Sequence, residues 1–431
     1  MTTGAGTVAA GWRGGLGDGL RYGMLGLPLA FVALPLYVVL PHHYAAAFGV
    51  PLATLGALLL AARLFDAVAD PWIGRLVDLG LAGSRRHLLA GMVLASAALA
   101  LGFRGLFIPP MSGGAALLAW AAAMLLLTYL AYSVLSVLHQ AWGARLGGSE
   151  AQRARIVSWR EGLALLGVMV ASVLPSVAGL DVTTAVFAAA LAAGVALLAV
   201  APRPQPGAPQ ASLPMSLPLR TPAFRRLLAI YLVNGIASAV PATLVLFFVR
   251  DRLQLPDWEP AFLAAYFAAG ALSLPLWMHV VARWGLARAW LAGMVLAIAA
   301  FVWAATLGAG DSVAFFAVCA ATGVALGADL ALPSALLAGV VQRSGHQGRL
   351  EGAYFGWWNF ATKLNLALAA GIALPLLAAF GYTPGSQDAG ALQALTLAYC
   401  ALPCALKALA AALLWWRWIC HPDSLSEEPS P

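Results

Sequence analysis

The chain has 431 residues, of which 62% are hydrophobic and only 10% charged, and its mean hydropathy is +0.86. That composition leaves too little polar surface for a soluble globule and too much apolar length for one anchor, so the sequence predicts a polytopic membrane protein. The net charge of +7 comes from arginines concentrated in short connections, a pattern of membrane topology rather than of a nucleic-acid-binding stripe.

A spanning helix needs roughly 20 apolar residues, and twelve candidate spans follow one another along the chain. They run at about 22 to 46, 52 to 77, 88 to 107, 115 to 144, 156 to 179, 183 to 201, 226 to 250, 259 to 282, 289 to 308, 312 to 341, 352 to 380 and 391 to 418. The first run is too long for a signal h-region and lacks a small-residue cleavage site, so it is expected to remain as a span. Pro202 to Arg220 is rich in proline and polar residues, the composition of a linker. The expected organisation is therefore an N-terminal six-helix bundle over 1–201, a linker over 202–225, a C-terminal six-helix bundle over 226–418 and a tail over 419–431.

The two halves repeat. Leu89-Ala-Gly-Met-Val-Leu-Ala95 recurs as Leu291-Ala-Gly-Met-Val-Leu-Ala297, each time opening the third span of its half. Pro71-Trp72 has a rough counterpart in Pro275-Leu-Trp277, but Gly270 and Leu274 stand where Asp66 and Asp70 would fall. Arginines such as Arg21, Arg86, Arg153, Arg225, Arg283, Arg343 and Arg417 occupy every second connection or a terminus. The positive-inside rule then puts both termini in the cytoplasm, with a bacterial inner membrane as the expected location. The four cysteines all lie in the C-terminal half and form neither a disulfide framework nor a zinc pattern.

Charges inside the spans point to chemistry. Arg63-Leu-Phe-Asp66-Ala-Val-Ala-Asp70-Pro71 sets two carboxylates on one helix face of the second span. An ionised group at membrane depth costs several kcal/mol unless it pairs, faces water or binds an ion. Two acids so close raise each other's proton affinity or hold a cation between them, and Arg63 can neutralise only one. A gating or packing ion pair at a helix end is the alternative. The only lysines, Lys363 and Lys407, both sit in apolar spans. Lys407 belongs to no motif and is expected to snorkel or pack. His139 reads either as a proton relay or as a histidine hydrogen-bonded within the bundle. Asp329, in Gly327-Ala-Asp329-Leu-Ala-Leu-Pro333, would line a cavity or cap a helix broken before the proline, and Asn234 is a further polar group at membrane depth.

Gly74-Arg75-Leu-Val-Asp78 followed by Ser84-Arg85-Arg86 is similar to the Gly-x-x-x-Asp-x-x-x-Arg signature of the major facilitator superfamily. That resemblance implies that Gly74, Asp78, Arg85 and Arg86 tie helix ends across the two halves on the cytoplasmic side, simple positive-inside anchoring being the alternative. Arg63-x-x-Asp66-x-x-x-Asp70-Pro71 resembles the second span of the glycoside-pentoside-hexuronide:cation symporters. Further matches are Tyr22-Gly23, Ala141-Trp142-Gly143-Ala144, Trp159-Arg160-Glu161, Asn234-Gly235 and Gly348-Arg349-x-Glu351-Gly352-x-Tyr354 leading to Asn359-x-x-x-Lys363.

This resemblance implies that Asp66 and Asp70, with Arg63 beside them, hold the coupling cation, that Lys363 faces a central cavity nearby, and that Arg160 helps bind the solute. Arg160-Glu161 reads equally as an inter-helix latch, and Arg349 and Glu351 join the gating groups. Trp142, Trp357, Trp358 and Asn359 offer a flat apolar platform with an amide beside it, although membrane aromatics also serve as interfacial anchors. Several departures matter. Gly339 stands where many relatives carry an acid, Ala30 where one member of the family carries a sugar-binding aspartate, Ser136 falls at about the position of its second one, His139 replaces a tyrosine of the family pattern, and Ala69 replaces an asparagine that contributes to sodium binding in that member. The last favours a proton over Na+.

The expected fold is all-α and polytopic, with about twelve transmembrane helices in two pseudo-symmetric six-helix halves, the major facilitator fold. The expected function is secondary active transport, a cation-coupled symport of a sugar or other small polar solute by alternating access. The alternative is transport or export of a non-sugar metabolite, amphiphile or drug. No cofactor is expected beyond the coupling ion, H+ or Na+, and the partners are a small-molecule solute and membrane lipid around a monomer. A membrane enzyme is disfavoured because His-Glu-x-x-His and Gly-x-Ser-x-Gly are missing from the sequence and its seven histidines are scattered.

Overall fold

The computed structural model describes residues 12–82, 85–204 and 214–420. The middle of the expected linker, the tail from 421 onward and Ser84 lie outside the described residues, as does the side chain of Arg85. The described residues are helical almost throughout and contain no strand. In a bilayer every backbone N–H and C=O must be satisfied within the chain, and helices do this locally.

The first predicted span is not one continuous helix. It is made of α1 (Leu16–Gly23), α2 (Gly26–Phe31), a π-helical turn (Pro35–Val39) and α3 (Leu40–Phe48), which ends on Gly49 at φ 64°. Pro28, Pro35 and Pro41 each remove a backbone donor, which is the physical reason for the segmentation. There follow α4 (Leu52–Ala82), α5 (Arg85–Phe107), α6 (Gly114–Arg145) and α7 (Glu150–Ala199). The last is capped by Ser149, whose hydroxyl accepts the Gln152 amide, and it covers both the fifth and sixth predicted spans. Gly179, at φ 78°, bends the chain between them, a conformation that only glycine adopts cheaply.

Then come α8 (Leu217–Arg220), α9 (Pro222–Phe247), α10 (Glu259–Trp284), α11 (Leu286–Ala304), α12 (Ser312–Arg343) and α13 (Glu351–Ala379). Helices α14 (Ala389–Thr396) and α15 (Leu402–Leu414), joined by a π-helical turn, complete the chain. Among the described residues nine helical segments are long and apolar enough to cross a membrane. With the bend in α7, the broken stretch 16–48 and α4, they match the twelve predicted spans.

Packing divides the chain into two units, Met1–Met215 with Gly345–Trp357, and Ser216–Ser344 with Trp358–Pro431. Helix α13 is thus shared, its first turns belonging to the first unit and the remainder to the second. In the first unit α4 and α5 pack on α6, and α2 and α5 pack on α7. In the second, α10 and α11 pack on α12, while α9 and α11 pack on α15. The same pairings recur in the same chain order, as a duplicated frame requires. Helix α4 buries Ala62, Asp66, Asp70, Ile73 and Val77 on one side and exposes Leu64, Phe65, Val68, Trp72 and Leu76 on the other. The 3.6-residue period therefore separates a charged interior face from a face suited to lipid.

Candidate functional site

The interior face of α4 carries the acid pair. Asp70 is wholly buried and Asp66 is 4% exposed. Ser133 on α6 donates a 2.7 Å hydrogen bond to Asp66 Oδ1. Arg63 lies within electrostatic reach of Asp66 and Tyr129. Tyr132 is within reach of both acids. A Cβ on Gly356 would lie 2.6 Å from the Asp70 carbonyl oxygen, so the first turns of α13 pack backbone to backbone against α4 here.

Tyr132 also lines a cavity of about 150 Å³ with Ser136, His139, Gln140, Arg160 and Glu161. Arg160 Nε and Nη2 both donate to Glu161 Oε1, at 2.9 and 2.5 Å. His139 Nε2 contacts the Tyr22 carbonyl at 2.7 Å. A carbonyl only accepts, so Nε2 carries the proton. The Tyr22 hydroxyl donates back to the His139 carbonyl, and His139 Nδ1 has no hydrogen-bond partner among the described residues. Ala30 and Ser136 both line this cavity, so a methyl and a hydroxyl stand at the two positions where the family resemblance leads one to look for carboxylates.

The tryptophans named from the sequence make contacts within their own units. Trp142 is buried with its indole N–H donating to the Pro202 carbonyl, and Trp357 donates to the Met215 carbonyl. Trp358 is buried and stacks on Tyr231 with ring centroids 3.8 Å apart. An indole N–H shielded from water needs an acceptor, and Trp142 and Trp357 each find one in a backbone carbonyl. Asn359 and Lys363 are half-buried residues of the second unit, whereas Asp66, Asp70 and Arg160 belong to the first.

The gating residues resolve into a buried cluster around a cation that the sequence reading missed. Asp78 accepts the amides of Gly352 and Ala353 at 2.7 and 2.9 Å, at the positive N-terminal end of α13. Arg145, at the end of α6, reaches Glu351 Oε2 at 3.0 Å and Asp78 Oδ1 at 3.5 Å. Glu351 Oε1 also accepts the Gly348 amide. A Cβ on either Gly74 or Gly352 would lie 2.2 Å from the other's carbonyl oxygen, which explains glycine at both positions. Arg86 and Arg349 are exposed, and the cation that meets both acids is Arg145. Arg145 directly follows Ala141-Trp142-Gly143-Ala144, and that adjacency was its only sequence signal. Nearby, His346 Nδ1 lies 2.7 Å from the Tyr354 hydroxyl, and burial together with the Arg349 charge pulls its pKa below the ordinary imidazole value.

In the second unit Lys407 does not snorkel. Its side chain is 3% exposed and its ammonium donates to Asp329 Oδ2 at 2.7 Å, Asn234 Oδ1 at 2.9 Å and Ser238 Oγ at 3.0 Å. Asp329 Oδ1 accepts from Asn234 Nδ2 and Trp290 Nε1. The two isolated intramembrane polar groups of the sequence, Asn234 and Asp329, are therefore one neutral cluster around the lysine, and α12 continues through Pro333 without breaking.

A family model described as MFS/sugar transport protein matches residues 21–418, and the chain belongs to that family of the major facilitator superfamily. It is a secondary transporter that moves a small-molecule solute, and not an enzyme. No curated protein sequence matches the chain. Among solved structures, a bacterial homologue of the iron transporter ferroportin in an outward-facing state is similar over 92% of this chain and 98% of its own, with a TM-score of 0.71 and 16% identity. The E. coli fucose:proton symporter FucP is similar over 91% and 98%, with a TM-score of 0.65 and 12% identity. These likenesses concern the fold.

Proposed function

We propose that the chain couples uptake of a proton at Asp66 and Asp70 to movement of a small polar solute, a sugar or a related metabolite, by alternating access. It would act as a monomer in a bacterial inner membrane with both termini cytoplasmic. The observation that carries this reading is the burial of two carboxylates one helical turn apart with Arg63 beside them. Ionising both in so dry a place is costly, so one site of the pair is suited to bind and release a proton. Tyr132 supports coupling, because it lies within reach of both acids and also lines the cavity with Arg160 and His139. There Arg160, Glu161, Gln140 and His139 Nδ1 offer donors and acceptors to solute hydroxyls.

The groups around α13 fit a gate. Breaking the contacts of Asp78 and Glu351 with Arg145 and the α13 amides would free the first turns of α13 from α4 and α6. A second reading, transport of a less polar solute, is favoured by Ala30 and Ser136 in the cavity wall.

The test uses purified protein in proteoliposomes with an imposed pH or Na+ gradient and a panel of sugars and organic acids. Asp66→Asn and Asp70→Asn are expected to abolish gradient-driven accumulation while solute binding persists, and Arg160→Ala to weaken binding. Undiminished accumulation in both asparagine variants would overturn the coupling assignment.

A further inference from the structure

The second unit contains a cavity of about 180 Å³ lined by α9, α10, α11, α12, α15 and the segment leading into α15. None of the acid-pair or Arg160 residues lines it. Its walls include Phe262, Leu263, Phe267 and Phe301. An apolar cavity of about 150 Å³ holds one benzene ring, so the size fits a single six-membered ring with a small substituent. Two tyrosines, Tyr266 and Tyr399, also line it. Neither hydroxyl has a hydrogen-bond partner among the described residues, although each ring packs on aromatic neighbours. A phenol hydroxyl among apolar walls gains from any ligand atom that can bond to it.

The charge at the remaining edge decides the class of ligand. Lys407 and Asp329 reach the cavity edge beside Ser238, but the ammonium already donates to three oxygens and the carboxylate already accepts from Asn234, Trp290 and Lys407. The edge is neutral and saturated. A charged ligand would leave its own charge uncompensated among phenylalanines, whereas a neutral one meets no such cost.

We propose that this cavity is a binding site for a neutral, single-ring amphiphile of the phenol or benzyl alcohol class, its ring held by Phe262, Phe267 and Phe301 and its hydroxyl by Tyr266 and Tyr399. No residue of the acid pair or its cavity lines this site, so its failure would leave the coupling proposal untouched, and the reverse holds. Ala242 is exposed and lines the cavity, which marks an open side.

The test is 19F NMR of 4-fluorophenol, fluorobenzene and 4-fluorobenzoate with the full chain in phosphatidylcholine nanodiscs, empty nanodiscs giving the lipid background. Saturable broadening of 4-fluorophenol is expected, with fluorobenzene about three- to tenfold weaker for each hydroxyl bond lost and 4-fluorobenzoate on the order of a hundredfold weaker. Tyr266→Phe and Tyr399→Phe keep the ring volume and are expected to erase the preference for the phenol. Ala242→Trp blocks the open side without touching the buried helix contacts and is expected to abolish the saturable signal. No saturable phenol binding in the unaltered protein would overturn the proposal, as would a signal that survives Ala242→Trp. Equal affinity for fluorobenzene, unmoved by the tyrosine variants, would mean an apolar filler such as a lipid tail and would also overturn it.

Discussion

Replacing Lys407 by methionine is expected to destabilise the second unit strongly, whereas replacing Lys407 and Asp329 together is not. At 2.7 Å and an effective dielectric constant of about 20, the bare attraction is about 6 kcal/mol. Desolvating the two ions offsets several kcal/mol for each, so the net worth of the pair against a hydrophobic one is near zero. The asymmetry arises when one partner is removed. Lys407→Met leaves the Asp329 carboxylate, 13% exposed, with only the neutral donors of Asn234, Trp290 and Ser238, a loss of about 3 kcal/mol, at the low end for a buried pair. The double variant Lys407→Met/Asp329→Leu fills similar volume without charge and should return to within about 1 kcal/mol of the parent or exceed it. Equilibrium unfolding in mixed SDS and detergent micelles, followed by tryptophan fluorescence, measures all three. A Lys407→Met cost below about 1 kcal/mol, or a double variant no better than the single, would refute the reasoning.

Arg145→Ala should cost about 3–5 kcal/mol in the same titration, because Asp78 and Glu351 are then both buried without a cation; Arg145→Lys should recover only part of it, since an ammonium cannot match the fork of the guanidinium. Gly74→Val should lower the transport rate at least about tenfold with helical content by circular dichroism unchanged, because even a Cβ there meets the Gly352 carbonyl oxygen. The lowered pKa of His346 means that the folded connection stays neutral while an unfolded one protonates near pH 6.5, so this contribution to stability is complete above that pH and lost as pH falls below it. Amide exchange around 344–350 should accelerate on acidification, and His346→Gln should flatten the dependence.

The span pattern was legible because a bilayer demands long apolar helices, and α4 to α7 and α9 to α13 fall where hydropathy puts them. The segmentation of the first span was also written in Pro28, Pro35 and Pro41, but prolines in a membrane helix permit a kink without dictating one. Asp66 and Asp70 stood out because a local spacing of four residues already puts both on one face. Arg145 and Lys407 did not, because their partners lie 206 and 78 residues away in the chain. Periodicity reports on a residue's own helix and is silent about which neighbour supplies the opposite charge. The carbonyl partners of Trp142 and Trp357 were hidden for a related reason, since composition cannot tell which carbonyl along the chain will hold an indole N–H.

The full engagement of Lys407 has a practical use. Its ammonium is sequestered by three acceptors, and the chain has just one other lysine, Lys363. Acylating reagents applied to intact protein should therefore spare position 407 and modify it only once the second bundle opens. Trypsin does not cut after an acylated lysine and no arginine lies between Arg349 and Arg417, so loss of tryptic cleavage after position 407 would act as a chemical clock for the loosening of one half of the transporter, read by mass spectrometry without any engineered probe.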